Sequence, residues 1–266
     1  MSSEFDPKSN IKKRIIFNVN AAIKEFEKLQ KCTTKFGTPI ISYVSCHHPL
    51  FVHFVENERC KHPKQIYRPG NTAIVFFLPY DKEVTLSNKG GKLPSEQWTK
   101  AFHDSMHLCM YLNRIISDTL DEVGRFHSPA NVPTDWQEDT HREEWSHKLA
   151  AYTAGLGRFG IAGSFHTEVG FAGRLSTVLV DEHYDIVDEE DLEGLDLENV
   201  LSYIDSDSKY LGAEDVIVSQ EAIEACPASA ITKDGINQKT CQDFCKTINH
   251  FVPSPEVCGK CFFYDR

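Results

Sequence analysis

Five of the nine cysteines, Cys226, Cys241, Cys245, Cys258 and Cys261, fall at the C-terminal end of this 266-residue chain. The other four, Cys32, Cys46, Cys60 and Cys109, are scattered earlier, and none lies between residues 110 and 225. Late crowding of this kind in an intracellular chain points to metal rather than to disulfides. Thiolates are soft ligands that hold iron–sulfur clusters or zinc. Two chemistries therefore compete for this end. Cys241-x3-Cys245-x12-Cys258-x2-Cys261 has the spacing of a four-cysteine zinc site, whereas Ala225-Cys226-Pro227 with Cys258-Gly259-Lys260-Cys261 has that of an iron–sulfur module.

The cysteine before proline favours iron. In a two-cluster ferredoxin the run C-x2-C-x2-C-x3-C-P gives three ligands to one cluster, and its fourth cysteine reaches across to the other. Counting back from Cys226, the first three positions are Val216, Ser219 and Ala222, none of which supplies a thiolate. No cysteine–proline follows Cys261 either. Both halves of one cluster are missing, and the other keeps Cys226, Cys241, Cys258 and Cys261. One 4Fe-4S cluster is the expected centre. Cys245, one turn beyond Cys241 on a predicted helix, is left as a structural cysteine, with a substitute ligand or a reactive thiol as the other readings.

Elements must position this centre. Ile15, Ile16, Val19, Ala22, Ile23, Phe26 and Leu29 recur at helical spacing and predict an amphipathic helix over 11–29. A short apolar run follows at 39–44. Residues 72–79, rich in branched and aromatic side chains and closed by Pro79, predict a buried strand. Pro94-Ser95 opens a long helical pattern through Trp98, Leu112 and Val123, and Gly124 is placed to stop it. A second helix is predicted over 143–154 and another strand over 174–180. This mixture implies a layered α/β or α+β domain. The acidic stretch from Asp181 to Asp207 reads as an exposed connector with a solvated face rather than a calcium site. It divides the chain into a main domain over 1–205 and a cysteine-rich module over 206–266.

Composition narrows the function. A chain with 41% hydrophobic residues can bury a real core. Its net charge of -11 disfavours a nucleic-acid partner, because affinity for a phosphate backbone comes from Lys and Arg. No stretch reaches the roughly 20 apolar residues of a membrane span, so a cytoplasmic protein is expected.

The stretch 145–160, Trp-Ser-His-Lys-Leu-Ala-Ala-Tyr-Thr-Ala-Gly-Leu-Gly-Arg-Phe-Gly, and then Thr167-Glu168-x-Gly170-x2-Gly173-Arg174-Leu175-Ser176-Thr177-Val178, resemble the epoxyqueuosine reductase family and its 4Fe-4S relatives. The C-P-A-x-A-I and C-G-K-C elements resemble the same family's tail. That family is similar in architecture to reductive dehalogenases, with a nitroreductase-like α/β sandwich core beside a ferredoxin-like module. The resemblance thus implies an α+β fold and a corrinoid, cobalamin, as second cofactor, with a flavin as the alternative. It makes His147, Gly155, Leu156, Gly157, Phe159, Gly160, Arg174 and Ser176 the candidate cofactor-binding residues. Without it, Gly155, Gly157 and Gly160 read equally as a helix stop and a tight turn.

The chain departs from the family in two ways. Where the family carries its proton-donating aspartate, this sequence has His141, with Asp139 two residues earlier, and these become the catalytic candidates. His141 qualifies because its ordinary pKa lies near neutrality. Only one cluster is retained, so a low-potential donor such as ferredoxin or flavodoxin is expected to reach it directly. The expected activity is oxidoreduction, with electrons passing to a corrinoid for reduction of a small-molecule substrate. Corrinoid handling without a further substrate and a zinc-stabilised binding module are the alternatives. His103 with His107, and Cys46-His47-His48 with Cys60-x-His62, read as ordinary core and loop residues rather than metal sites.

Overall fold

The computed structural model describes residues 7–29, 34–56, 60–130, 145–160, 163–184, 218–233, 235–248 and 258–264. The first part contains α1 (Pro7–Leu29), β1 (Ile40–Ser45), α2 (Pro49–Glu56), α3 (Pro63–Ile66), β2 (Thr72–Pro79), α4 (Lys82–Ser87), α5 (Glu96–Asp121) and β3 (His127–Pro129). There follow α6 (His147–Thr153), β4 (Gly157–Phe159), β5 (Phe165–Thr167) and β6 (Gly173–Val180). The cysteine-rich end holds α7 (Gln220–Ala225), β7 (Ile231–Thr232), β8 (Gly235–Ile236), α8 (Gln238–Thr247) and a 3-10 turn, Cys261–Tyr264.

The fold is mixed α and β, built on a four-stranded antiparallel sheet in the order β1-β2-β6-β3. Strand β2 is buried along its whole length, and the alternation of its side chains builds two cores. Ile74, Phe76 and Leu78 face one way, with Val178 and Val180 of β6, onto Ile15, Val19 and Ile23 of α1 and Leu108, Leu112 and Ile116 of α5. Ala73 and Val75 face the other way, with Leu179, onto Leu50, Phe51 and Phe54 of α2 and Leu149, Ala150 and Ala151 of α6. A sheet covered on both faces needs near-continuous apolar strands, and this is why residues 72–79 carry no polar alternation.

The long helix starts where Ser95 accepts from the Trp98 N–H at 3.0 Å and stops at Gly124, at φ 69°. There the Arg125 N–H donates to the Leu120 carbonyl. Helix α6 is shorter than the 143–154 predicted for it: Ser146 accepts from the Leu149 N–H and caps the helix at His147. Among the described residues no helix is long and apolar enough to cross a membrane.

The cysteine-rich end has a small core of its own, Ala222 and Ile231 with Val218, Ile236 and Tyr264 at its edge. It is also fastened to the main body. Asn88, after α4, donates from its side chain to the Cys258 carbonyl at 2.9 Å, and Phe171 meets Phe262 and Phe263 edge-on, with ring centroids 6.1 and 5.0 Å away.

Candidate metal centre

Each cysteine of the C-terminal end is presented by a different local device. Cys226 closes α7, whose N-cap Ser219 also donates to the Tyr264 carbonyl at 3.1 Å and so ties the helix to the turn carrying Cys261. The Cys226 Sγ accepts the Ala230 N–H at 3.3 Å, a bond made possible by the turn through Pro227 and Ser229. Cys241 and Cys245 lie one turn apart on α8, whose start is fixed by Asn237 accepting from the Thr240 N–H at 2.9 Å. Cys258 and Cys261 flank Gly259, which sits at φ 66°, a conformation glycine adopts without strain.

The fold brings all five thiols into one neighbourhood. Cys241 and Cys245 share a hydrogen bond, and Cys241 also feels Cys261 and Cys258. Cys258 feels both Cys245 and Cys226. The hydrogen bond pushes the Cys241 thiol up and pulls Cys245 down to about 7, helped by the backbone N–H of Cys258. Burial raises Cys258 to about 11. Lys260, only 3% exposed, lies beside them and donates to the Asn88 and Gly90 carbonyls. A donor set of clustered cysteine thiols fits a thiolate-held cluster. Among the described residues no three His, Cys, Asp or Glu side chains are arranged to hold a single metal ion.

The eight cofactor candidates are not gathered into one place. On β6, Arg174 and Ser176 point to the α5 side. The Arg174 guanidinium donates to the Ser105 Oγ and the Phe102 carbonyl, both at 3.1 Å, and lies over the Phe102 ring. Ser176 donates to the Asn113 Oδ1 at 3.1 Å. His147 stands on the other face, its Nδ1 paired with the Thr177 hydroxyl at 2.9 Å. Burial and the Arg174 charge pull its pKa down to about 4, so the ring is neutral at neutral pH.

Gly155, at φ 68°, ends α6 in a paired motif: its N–H donates to the Tyr152 carbonyl and that of Leu156 to the Ala151 carbonyl, both at 2.9 Å. A Cβ on Gly157 would stand 2.0 Å from the His166 carbonyl oxygen of the neighbouring strand. Leu156 and Phe159 pack into the core on the α6 side, and the Gly160 N–H donates to the Ser164 carbonyl at 3.0 Å. These contacts give each of the residues a role in the fold itself.

The catalytic candidates His141 and Asp139, and most of the acidic stretch after Asp181, lie outside the described residues. Two of the secondary histidines have structural roles. His48 Nδ1 accepts from the Leu50 N–H and His62 Nδ1 from the Lys64 N–H, both at 3.2 Å, so each caps a helix start. Cys46 and Cys60 are pushed up to about 12 by burial, as inert thiols are.

No protein-family model matches the chain, and no curated protein matches it. Among solved structures, the epoxyqueuosine reductase from Streptococcus thermophilus is 15% identical, with a TM-score of 0.47 over 92% of this chain and 65% of that one. The enzyme from Bacillus subtilis is 14% identical, with a TM-score of 0.46 over 92% and 64%. An epoxyqueuosine reductase bound to a tRNA-Tyr epoxyqueuosine-modified stem loop is 14% identical, at 0.48 over 92% and 65%. The chain thus spans about two thirds or less of the length of these structures. Likeness this distant assigns no activity.

Proposed function

We propose that the protein is an iron–sulfur oxidoreductase with one 4Fe-4S cluster held by Cys226, Cys241, Cys258 and Cys261. The supporting observation is the convergence of cysteines from α7, α8 and the 258–261 turn on one neighbourhood, across elements that share no local sequence. Cys241 is the better ligand of its pair because it faces both Cys258 and Cys261, while Cys245 hydrogen-bonds to it from the same helix face. When bound, such a cluster supplies or stores single electrons. The chain's own part is to hold the thiols, exclude water with Phe262, Phe263 and Phe171, and fix the turn against Asn88.

The electron source in this proposal is a low-potential ferredoxin or flavodoxin, and the acceptor is a corrinoid serving a small substrate, with His141 or Asp139 as proton donor. The corrinoid rests on the family resemblance alone.

A second reading has its own support. The spacing Cys241-x3-Cys245-x12-Cys258-x2-Cys261 is that of a four-cysteine zinc site and leaves out Cys226. An anaerobic absorption spectrum with iron, zinc and cobalt analysis, before and after incubation with cobalamin, separates these readings. About four irons per chain and a broad thiolate-to-iron band support the cluster. One zinc and no colour would refute it. Iron with an unchanged cobalamin spectrum keeps the cluster and removes the corrinoid.

A further inference from the structure

Lys260 is not explained by ligation of the centre alone. It sits between two cysteines in the sequence, yet it is 3% exposed, and its ammonium is turned inward. Its Nζ donates to the carbonyls of Asn88 at 2.8 Å and Gly90 at 2.5 Å, both on the main body. Asn88 is itself fully buried. Its side chain donates to the Cys258 carbonyl at 2.9 Å and accepts from the Ser95 N–H, at the start of α5, at 3.0 Å. One asparagine thus fixes both the loop and the lysine inside it. A buried ammonium is costly without an anion, and two neutral carbonyls satisfy its hydrogen bonds but not its charge. Among the described residues the titratable group that faces it is Cys258. Cys258, held by the same Asn88, would supply that charge as a metal-bound thiolate.

We propose that Lys260 is a positioning residue that supplies the fixed counter-charge of the thiolate-held centre. It pins the 258–261 turn to the main body and favours the reduced form of the cluster. This rests on the single-cluster reading. The step concerned is transfer of one electron from a reductant such as dithionite to the cluster, with no bond made or broken. The electron adds negative charge next to a buried cation, and net charge is one of the factors that set a cluster's potential.

The test uses the full-length chain, reconstituted anaerobically with iron and sulfide and titrated with dithionite, for wild type, Lys260→Met, Lys260→Gln and Lys260→Arg. Iron per chain is measured beside the reduced-to-oxidised ratio at a fixed ambient potential. Lys260→Met and Lys260→Gln are expected to keep their iron and lower that ratio about tenfold, or about 59 mV for one electron, with Lys260→Arg within about threefold of wild type. Gln keeps a hydrogen-bond donor without the charge, so a purely mechanical staple would leave its ratio unmoved. Neutral variants with full iron and an unchanged ratio, or an Arg variant that shifts as Met does, would overturn the counter-charge role and leave the cluster standing. If both neutral variants lose iron while Arg retains it, the counter-charge is supported through retention; loss in all three overturns it. A wild-type chain that takes up no iron overturns the cluster and this role together.

Discussion

His147 carries the clearest titration outside the cysteines. Burial and the nearby Arg174 charge bring its pKa from 6.5 to about 4. Between those values the unfolded chain binds a proton that the folded chain refuses, so stability is full above pH 6.5 and falls as pH drops toward 4. The loss is about 2 kcal/mol after allowing for its partial exposure. Urea denaturation at pH 7 and pH 4.5 should show that drop in wild type and a smaller one in His147→Gln, and equal drops would refute the assignment. The cysteines make a second residue-scale prediction. Serine at Cys226, Cys241, Cys258 or Cys261 should cost most of the bound iron after anaerobic reconstitution. Cys245→Ser should retain it, because Cys241 is the thiol of that pair that faces both Cys258 and Cys261. Iron loss confined to Cys241, Cys245, Cys258 and Cys261 would instead describe the zinc-type set. The grouping of the cysteines was legible because five of the nine crowd the C-terminal end of the sequence. The place of Lys260 was not, since its partners Asn88 and Gly90 lie far away in the chain.

Elements long enough to show a period were readable. Strands β2 and β6 and helices α1 and α5 fall close to where the apolar spacing places them, and Gly124 ends α5 as expected. Strands β3, β4 and β5 are three residues each, too short to carry an alternation, and they exist because neighbouring strands pair with them. The glycine segment after α6 shows how one sequence signal serves two needs. Gly155 is required by its backbone conformation and has open space around it. Gly157 is required by crowding, since any Cβ there collides with the His166 carbonyl across the β4–β5 pair. Gly155→Ala should therefore cost about 1 kcal/mol, the usual penalty for a left-handed position. Gly157→Ala should cost about 2 to 3 kcal/mol, because backbone must move. Equilibrium urea unfolding of both variants measures the order, and a Gly157→Ala chain as stable as wild type would show that the close approach is not required.

At the scale of the whole molecule, the sequence suggests a main body and a cysteine-rich module joined by an acidic connector, but the contacts fasten the two together. Asn88 and Lys260 bond across the boundary, and Phe171 meets the rings of Phe262 and Phe263. A Cβ on Gly259 would stand 2.5 Å from the Trp98 ring. Because Trp98 and Asn88 are buried in the main body, a metal that holds the 258–261 turn also holds the surface on which the turn rests. A ligand that binds only the folded state stabilises whatever folds with it. Calorimetry of the reconstituted chain should therefore show one transition, at higher temperature than in the chain stripped of metal. Gly259→Ala should lower the melting temperature with and without metal, since the position is left-handed and the added methyl must push the turn away from Trp98. Two separate transitions, with only the smaller one responding to metal, would mean that the cysteine-rich end folds independently and that its contacts with Asn88 and Trp98 are incidental.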